Sequence, residues 1–387
     1  MVDEIAIVGG GIAGLALGAA LTRRQHPFRI WEARADAGAG GAALAMAPNA
    51  MWALRRLGVA DAVIPFASRI DQYRFVNRDG APLKTLDLTA LSGPWGEFSW
   101  AVPRHRILAA LVSAMAPSTV ATQAEVVHLF WRNDRWILDV QGSANQEAAW
   151  IIGADGARSR VRQTVWPGLP EPRYQGFYAL RGIAPIQLPK EWSHSVFQVW
   201  GAPGEFGFSP VGTGSAYWFG TMAWPHFKIP PTPDDFLAHF HGWFSPIRDL
   251  ITSTEASELL IHPIYDRLEP YPDGPKTCAL IGDAAHLMTP NTGQGACQGI
   301  MDAWVLGELL AQRCPREALA EYRSLRLGNA LAVAQRSRRL GQVIHSRAIP
   351  EGVKQFLLKT APDRWMLNSM RQVIGAPPNL PESESEG

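Results

Sequence analysis

Residues 7–21 read IVGGGIAGLALGAAL and follow directly on a short apolar run. EIAIV is brief, apolar and β-branched, as a strand buried on both faces of a parallel sheet has to be. Gly9, Gly11 and Gly14 give the spacing G-x-G-x-x-G, and LALGAALTRR continues with helical periodicity. A second apolar strand, FRIWE, ends on Glu32. The spacing gives each glycine a separate role. Gly9 permits the tight turn, Gly11 lets a pyrophosphate approach the backbone, and Gly14 lets helix and strand pack closely. The helix N-terminus offers free N–H groups and partial positive charge to the phosphates. Glu32 falls where a carboxylate binds both ribose hydroxyls, which disfavours a 2′-phosphorylated nucleotide at this position. A glycine-rich turn with no ligand is the competing reading, and the acidic strand end weighs against it.

Bulk properties set the context. At 387 residues and 47% hydrophobic, the chain fits two domains with ample cores. A net charge of +1 recruits neither nucleic acid nor an anionic membrane. The opening MVDEIAIVGG carries acidic residues where a signal peptide needs basic ones. No apolar run approaches the roughly 20 residues of a spanning helix. Cys278, Cys297 and Cys314 are too scattered for a disulfide framework or a closed zinc site. The expectation is a soluble, cytoplasmic protein without stable membrane insertion, metal or nucleic-acid partner. Fifteen tryptophans point to core packing before they point to a site.

The fingerprint alone does not separate NAD from FAD. Two later segments bear on that choice. Residues 150–165, WIIGADGARSRVRQTV, read as a buried strand, a sharp Asp-Gly turn and a basic segment with Ser159 placed to cap a helix. Residues 277–310, TCALIGDAAHLMTPNTGQGACQGIMDAWVLGELL, read as a strand ending on Asp283, a glycine loop, and a long amphipathic helix with Asp302 inside it. Asp283 can accept a hydrogen bond from a sugar-chain hydroxyl. Gly293, Gln294 and Gly295 bring backbone N–H groups against a flat ligand at a helix N-terminus, where a dipole favours negative charge on a reduced ring.

With these three segments in order, the chain resembles the FAD-dependent aromatic hydroxylases of the para-hydroxybenzoate hydroxylase type, single-component flavoprotein monooxygenases. APNAMWALRRLGVADAV (47–63) and VPRHRILAAL (102–111) match in place, so the resemblance runs from residue 5 to about 345. RYQGFYALRGIA and FSPVGTGSAYWFG bring it nearest to the urate hydroxylase and zeaxanthin epoxidase-like branch. The resemblance implies that Gly9, Gly11, Ala13 and Gly14 hold the pyrophosphate and Glu32 the adenosine ribose. It places Ala45 on the loop passing the flavin side, and Arg104 where an arginine contacts FAD. Val127 falls where backbone groups reach the adenine, and Asp283 at the ribityl and pyrophosphate region. Gly293, Gln294, Gly295 and Ala296 would run under the isoalloxazine ring. One departure stands out: where the urate enzyme has a substrate-activating arginine, PGEFGFSPV offers Glu205, which disfavours urate as substrate.

Other residues invite functional readings. Asp155 is balanced between a structural role, paired with nearby arginines, and a functional one. His286 has the look of a general base, yet it belongs to the signature and reads better as a packed loop residue. Cys297 lies near a helix start, where a thiolate is stabilised, but no base adjoins it in sequence. Arg181, charged between apolar neighbours on a sheet, is either ion-paired or substrate-facing, and is the one weak catalytic candidate.

The expected fold class is α/β: a Rossmann-like FAD-binding domain with an inserted antiparallel β-sheet substrate domain and C-terminal helices. The FAD-binding domain is discontinuous, over 1–70, 100–172 and 270–345. Residues 71–99 and 173–268 form the substrate domain, whose sheet would lie across the flavin with aromatic side chains facing the pocket. Residues 346–387 supply C-terminal helices packed on the FAD domain and a polar, disordered tail, PESESEG.

The implied chemistry is the cofactor's under protein control. NADH or NADPH reduces FAD, O2 adds to give a flavin C4a-hydroperoxide, and one oxygen atom passes to a small aromatic or heteroaromatic substrate while the protein excludes water. There is no second glycine fingerprint for the nicotinamide, and no base for the substrate stands out. A monomer and a homodimer are equally compatible with the sequence. Competing readings of the same fold are an epoxidase, a halogenase, an isoprenoid reductase and a non-catalytic FAD-binding protein. GPWGEFSW and YWFGTMAW do not match a halogenase tryptophan motif.

Overall fold

The computed structural model describes residues 4–36, 41–201, 204–226 and 228–380. The polar tail at 381–387 lies outside the described residues. Five short strands form one parallel sheet in the spatial order Cys278–Leu280, Trp150–Gly153, Ile5–Val8, Phe28–Trp31, Val120–Ala121. Ile5–Val8 is central and every residue in it is buried, which is why its sequence is continuously apolar rather than alternating. The helix Ile12–Arg23 returns over the sheet and buries Leu15, Leu17 and Leu21 completely, each contributing about 1.5–3 kcal/mol relative to exposure.

That helix also crosses the helix Gly295–Gln312 at small residues. A Cβ added at Gly307 would lie 2.5 Å from Ala20 Cβ, and one at Gly299 would lie 3.2 Å from Ala13 Cβ. Gly282, with φ 58°, meets Ala13 in the same way at 2.9 Å. The close approach therefore depends on residues without bulk on both sides.

A seven-stranded sheet stands against this layer, in the order Leu260–Asp266, Arg173–Ala184, Ala216–Ala223, Gly204–Pro210, Ser195–Gly201, Gln72–Asn77, Pro82–Asp87. The expected antiparallel pattern holds except at one place: Gln72–Asn77 runs parallel to Ser195–Gly201. The short early segment thus completes the edge of the sheet built by the later one. A parallel pairing leaves no local sequence signal, because its partners are joined by a long crossover instead of a turn. One face of the sheet buries Phe197, Phe206, Phe208 and Trp218 with Phe236 and Phe240. By the two-residue period, Gln198, Glu205, Tyr217, Phe219 and Arg181 lie on the opposite face.

The helices Glu351–Thr360 and Asp363–Ile374 fold back onto the molecule. Leu367 and Met370 pack on the main core, and Asn49 Nδ2 donates to Ile374 O at 3.2 Å. Lys84 Nζ donates to Ala361 O at 2.7 Å, anchoring the turn between the two helices. No helix among the described residues is long and apolar enough to cross a membrane.

Candidate functional site

The ends of Ile5–Val8, Phe28–Trp31, Trp150–Gly153 and Cys278–Leu280 lie side by side, and the loops leaving them gather the expected site residues. Ligands of open parallel sheets bind in the crevice outside these carboxyl ends. Gly9 has φ 107°, a region glycine enters freely, and a Cβ there would sit 2.5 Å from Ala154 O. A Cβ at Gly14 would collide with Gly9 O, so Gly14 permits the helix to follow the strand so closely. Ala13 lies in the first helical turn with its methyl group against Gly282 and Gly299.

Glu32 is 5% exposed and holds the glycine loop itself. Its Oε2 accepts from Gly10 N at 2.7 Å and its Oε1 from Arg34 N at 2.8 Å, both charge-assisted bonds. Gly10 is not singled out by the fingerprint spacing, yet a Cβ there would stand 2.9 Å from Glu32 Cβ. Ala124 N donates to Glu32 O at 2.9 Å, which ties in the segment leading to Val127. Val127 itself belongs to the strand Val126–Arg132 of a separate three-stranded sheet.

At the Asp-Gly turn, Ser159 caps the helix Arg160–Val165, its Oγ accepting from Arg162 N at 2.9 Å. Asp155 Oδ2 accepts from Val161 N at 3.1 Å, and Asp155 Oδ1 is buried without a partner among the described residues. The expected arginine pairing is not what fixes it. Burial raises the Asp155 pKa, against the hydrogen bonds of Ser159 and Val161.

Asp283 opens a short helical turn just past Cys278–Leu280 and is exposed, on the floor of the crevice. Although solvent reaches it, the surrounding protein desolvates it and raises its pKa, while His286, Arg267, Arg104 and Arg181 act in the opposite sense. Arg104 begins the helix Arg104–Ser113 and feels both Glu32 and Asp283; its pKa is lowered by burial and by Arg34. Arg104 is thereby within electrostatic reach of both Glu32 and Asp283, and Asp283 in turn of Arg181.

The loop before the helix Gly295–Gln312 is open where a flat ligand needs it. Gly293 is exposed with φ 66°, and a Cβ at either Gly293 or Gly295 would have no close contact. Ala296 is half-buried. Gln294 turns its side chain inward, where Oε1 accepts from Asn49 Nδ2 at 3.0 Å and Gln298 Nε2 at 3.1 Å, so only its backbone faces the cleft. Ala45, on the strand Ala43–Met46, is exposed, and its carbonyl lies 3.6 Å from Cys297 Sγ. Burial pushes the Cys297 thiol up to about 11, which makes it an inert core residue.

His286 is fully enclosed, with Nε2 2.5 Å from Asp302 Oδ2. Asp302 also accepts from Gly282 N at 3.0 Å and from Arg326 Nε at 2.9 Å. His286 is therefore a structural partner of the Gly282-Asp283 turn. Arg326, from the long helix Pro315–His345, is a contributor that no motif reveals.

Arg181 is half-buried and makes no ion pair among the described residues. Its charge is felt by Asp283, Tyr217 and His262, so it points its chemistry toward the cleft.

The residues present fit a dinucleotide. At Gly11 an added Cβ would meet nothing within 4 Å, and the helix behind it has no side-chain cap on its N-terminal N–H groups. Ala45, Asp283 and Gly293 are exposed as well, and Asp283 feels the charge of Arg181 on the seven-stranded sheet.

A profile of the FAD binding domain family matches residues 3–337. The chain is 32% identical to aurachin C monooxygenase/isomerase of Stigmatella aurantiaca, over 88% of this chain and 89% of that protein. It is 33% identical to 3-amino-4-hydroxybenzoate 2-monooxygenase PtnB3 of Streptomyces platensis, over 92% and 91%. The fold is similar to that of Klebsiella pneumoniae HpxO complexed with FAD and uric acid, with a TM-score of 0.88, 23% identity and 96% of each chain covered. The chain belongs to the FAD binding domain family, among its aromatic hydroxylase-type members, and is an FAD-dependent monooxygenase.

Proposed function

We propose that this enzyme takes electrons from NADH or NADPH and uses O2 to hydroxylate a small aromatic or heteroaromatic substrate held between the flavin and the seven-stranded sheet. The observation that carries this reading is Arg181, a half-buried guanidinium without an ion pair among the described residues, grouped electrostatically with Tyr217, His262 and Asp283. An electron-rich ring in its anionic form suits that environment, and so does a relative named for 3-amino-4-hydroxybenzoate. Glu205, a buried carboxylate on the same sheet face, weighs against urate.

In this reading FAD, when bound and reduced, supplies the oxygen-activating chemistry. The chain's own residues bind, orient and exclude water. Gly9, Gly11, Ala13 and Gly14 present helix N–H groups to the pyrophosphate, and Glu32 shares its carboxylate between the glycine loop and the adenosine ribose. Val127 flanks the adenine through its backbone. Arg104 and Asp283 hold the middle of the dinucleotide. Ala45 lies to one side of the ring, and the backbone of Gly293, Gln294, Gly295 and Ala296 places N–H groups where negative charge accumulates on reduction. Residues 1–70, 100–172 and 270–345 form the FAD-binding unit, 71–99 and 173–268 the substrate-side sheet, and 346–387 a C-terminal segment.

Oxygen accounting tests this reading. NADH or NADPH oxidation should be slow alone and accelerated by a small phenol or hydroxylated heteroaromatic compound, with one atom of labelled O2 in the product. Product oxygen drawn only from water would overturn the reading.

A further inference from the structure

Glu205 is 1% exposed, and no arginine, lysine or histidine pairs with it among the described residues. Its two oxygens face two amide donors. Gln198 Nε2 donates to Oε2, and Asn291 Nδ2 donates to Oε1 at 3.1 Å. Gln198 is itself held in orientation, because Tyr73 OH donates to its Oε1. The Asn291 amide is not so held. Among the described residues its Nδ2 bonds to Glu205 alone, and its Oδ1 is buried with no partner at all. Space around that amide is kept by Gly341 of the helix Pro315–His345, where a Cβ would come within 2.6 Å of Asn291 Oδ1.

A buried carbonyl oxygen without a donor carries a cost of about the size of a lost hydrogen bond. A turned-over amide beside a protonated Glu205 gives that oxygen a donor and moves the NH2 group to the side of Gly341. Asn291 then offers Oδ1, and the carboxyl O–H donates to it. We propose that Glu205 is a positioning residue for the loop of residues 290–296. Ionised, it accepts from Asn291 Nδ2; protonated with a proton taken from solvent, it donates to Asn291 Oδ1, and the two bonds hold the loop in two settings beside the flavin. This rests on the reading that the loop runs along the flavin.

The surroundings permit the exchange. Burial pushes the Glu205 carboxyl up to about 7, against the amide bonds from Gln198 and Asn291. Among the described residues facing it, Tyr73 is the ionisable neighbour, and burial together with the Glu205 charge keeps its phenol protonated. Thr221, whose Oγ1 lies 3.3 Å from Glu205 N, is neutral. On the helix that packs behind the loop, Ser337 is neutral and bonded to Thr289 and Thr292 N, and Arg338 is held by Asp266 at 2.5 and 2.6 Å.

The experiment uses the FAD-loaded enzyme and two readouts that need no turnover. Infrared difference spectra report a protonated carboxyl as pH is lowered through about 7, and FAD absorbance reports the loop. Both signals should titrate together in the wild type and vanish in Glu205→Gln, which mimics the protonated form. In Asn291→Leu the carboxyl should still titrate while the FAD signal stays flat. An FAD titration that survives Glu205→Gln, or a carboxyl titration with no FAD response in the wild type, overturns the proposal. Should Glu205→Gln not fold, the Asn291→Leu comparison decides alone. A chain that holds FAD and titrates in this way but hydroxylates nothing would sink the proposed function and leave this inference standing.

Discussion

His286 and Asp302 form a wholly buried pair, imidazole Nε2 to carboxylate Oδ2 at 2.5 Å, directly beneath the turn that presents Asp283 to the crevice. His286 Nδ1 has no partner among the described residues, and Nε2 faces an ionised carboxylate, so Nε2 is the donor. Burial would raise the Asp302 pKa, but His286 and Arg326 outweigh it and hold the carboxyl at about 2. The unfolded carboxyl titrates at about 3.9. The stabilisation from Asp302 is therefore complete above that value and is lost as pH falls towards about 2. Asp302→Asn should cost about 3–5 kcal/mol at neutral pH, since it strands the Arg326 charge, and should flatten that acid limb. Urea unfolding at a series of acid pH values measures both.

Glu32→Ala should weaken FAD binding roughly tenfold or more, since charge-assisted bonds are worth about 1.5–3 kcal/mol. It should also loosen the free protein, because Gly10 N and Arg34 N lose their acceptor. Flavin fluorescence titration reads the affinity. Unchanged affinity would show that Glu32 serves only the glycine loop.

Gly295→Asp should fold, because a Cβ there meets Met288 Cγ at 3.8 Å and Asp283 Oδ1 at 4.0 Å, ordinary contact distances. Its carboxylate would face Asp283 and the reduced ring together, so the flavin potential should fall and turnover with it. Spectroelectrochemistry and oxygen uptake check the two parts separately.

Arg181→Ala should raise KM for an anionic substrate by roughly tenfold, the worth of one charge-assisted hydrogen bond, while FAD affinity stays the same. A parallel loss of FAD would place Arg181 on the cofactor instead.

Glu205 adds a pH dependence of opposite slope to that of Asp302. Its folded pKa, raised to about 7 from 4.5, makes the folded chain bind protons more tightly than the unfolded one. Stability should decline as pH rises from about 4.5 through about 7. Glu205→Gln should remove the decline and be the more stable protein under alkaline conditions, as thermal melts across that range would show.

The glycine fingerprint, Glu32, the Ser159 cap and the Asp283 turn are legible in the sequence because each is a local pattern in which spacing and backbone geometry imply one another. Gly10 is not, because its constraint comes from Glu32, 22 residues further on. Gln294 is legible as a loop residue but not as one whose amide turns inward to Asn49. Arg326 and Asn291 meet their partners only through tertiary packing, across 24 and 86 residues of chain. The parallel edge at Gln72–Asn77 is hidden for the same reason.

That edge has a consequence for how the protein is made. Gln72 pairs with Ser195, and Ile151 with Cys278, so neither sheet is complete until most of the chain has left the ribosome. At roughly 5–20 residues per second, the early strands spend on the order of ten seconds or more with unpaired edges. Gln72–Asn77 and Ile5–Val8 are then templates for any neighbouring strand. Yield in a cell should accordingly follow chaperone supply more closely than the stability of the finished enzyme.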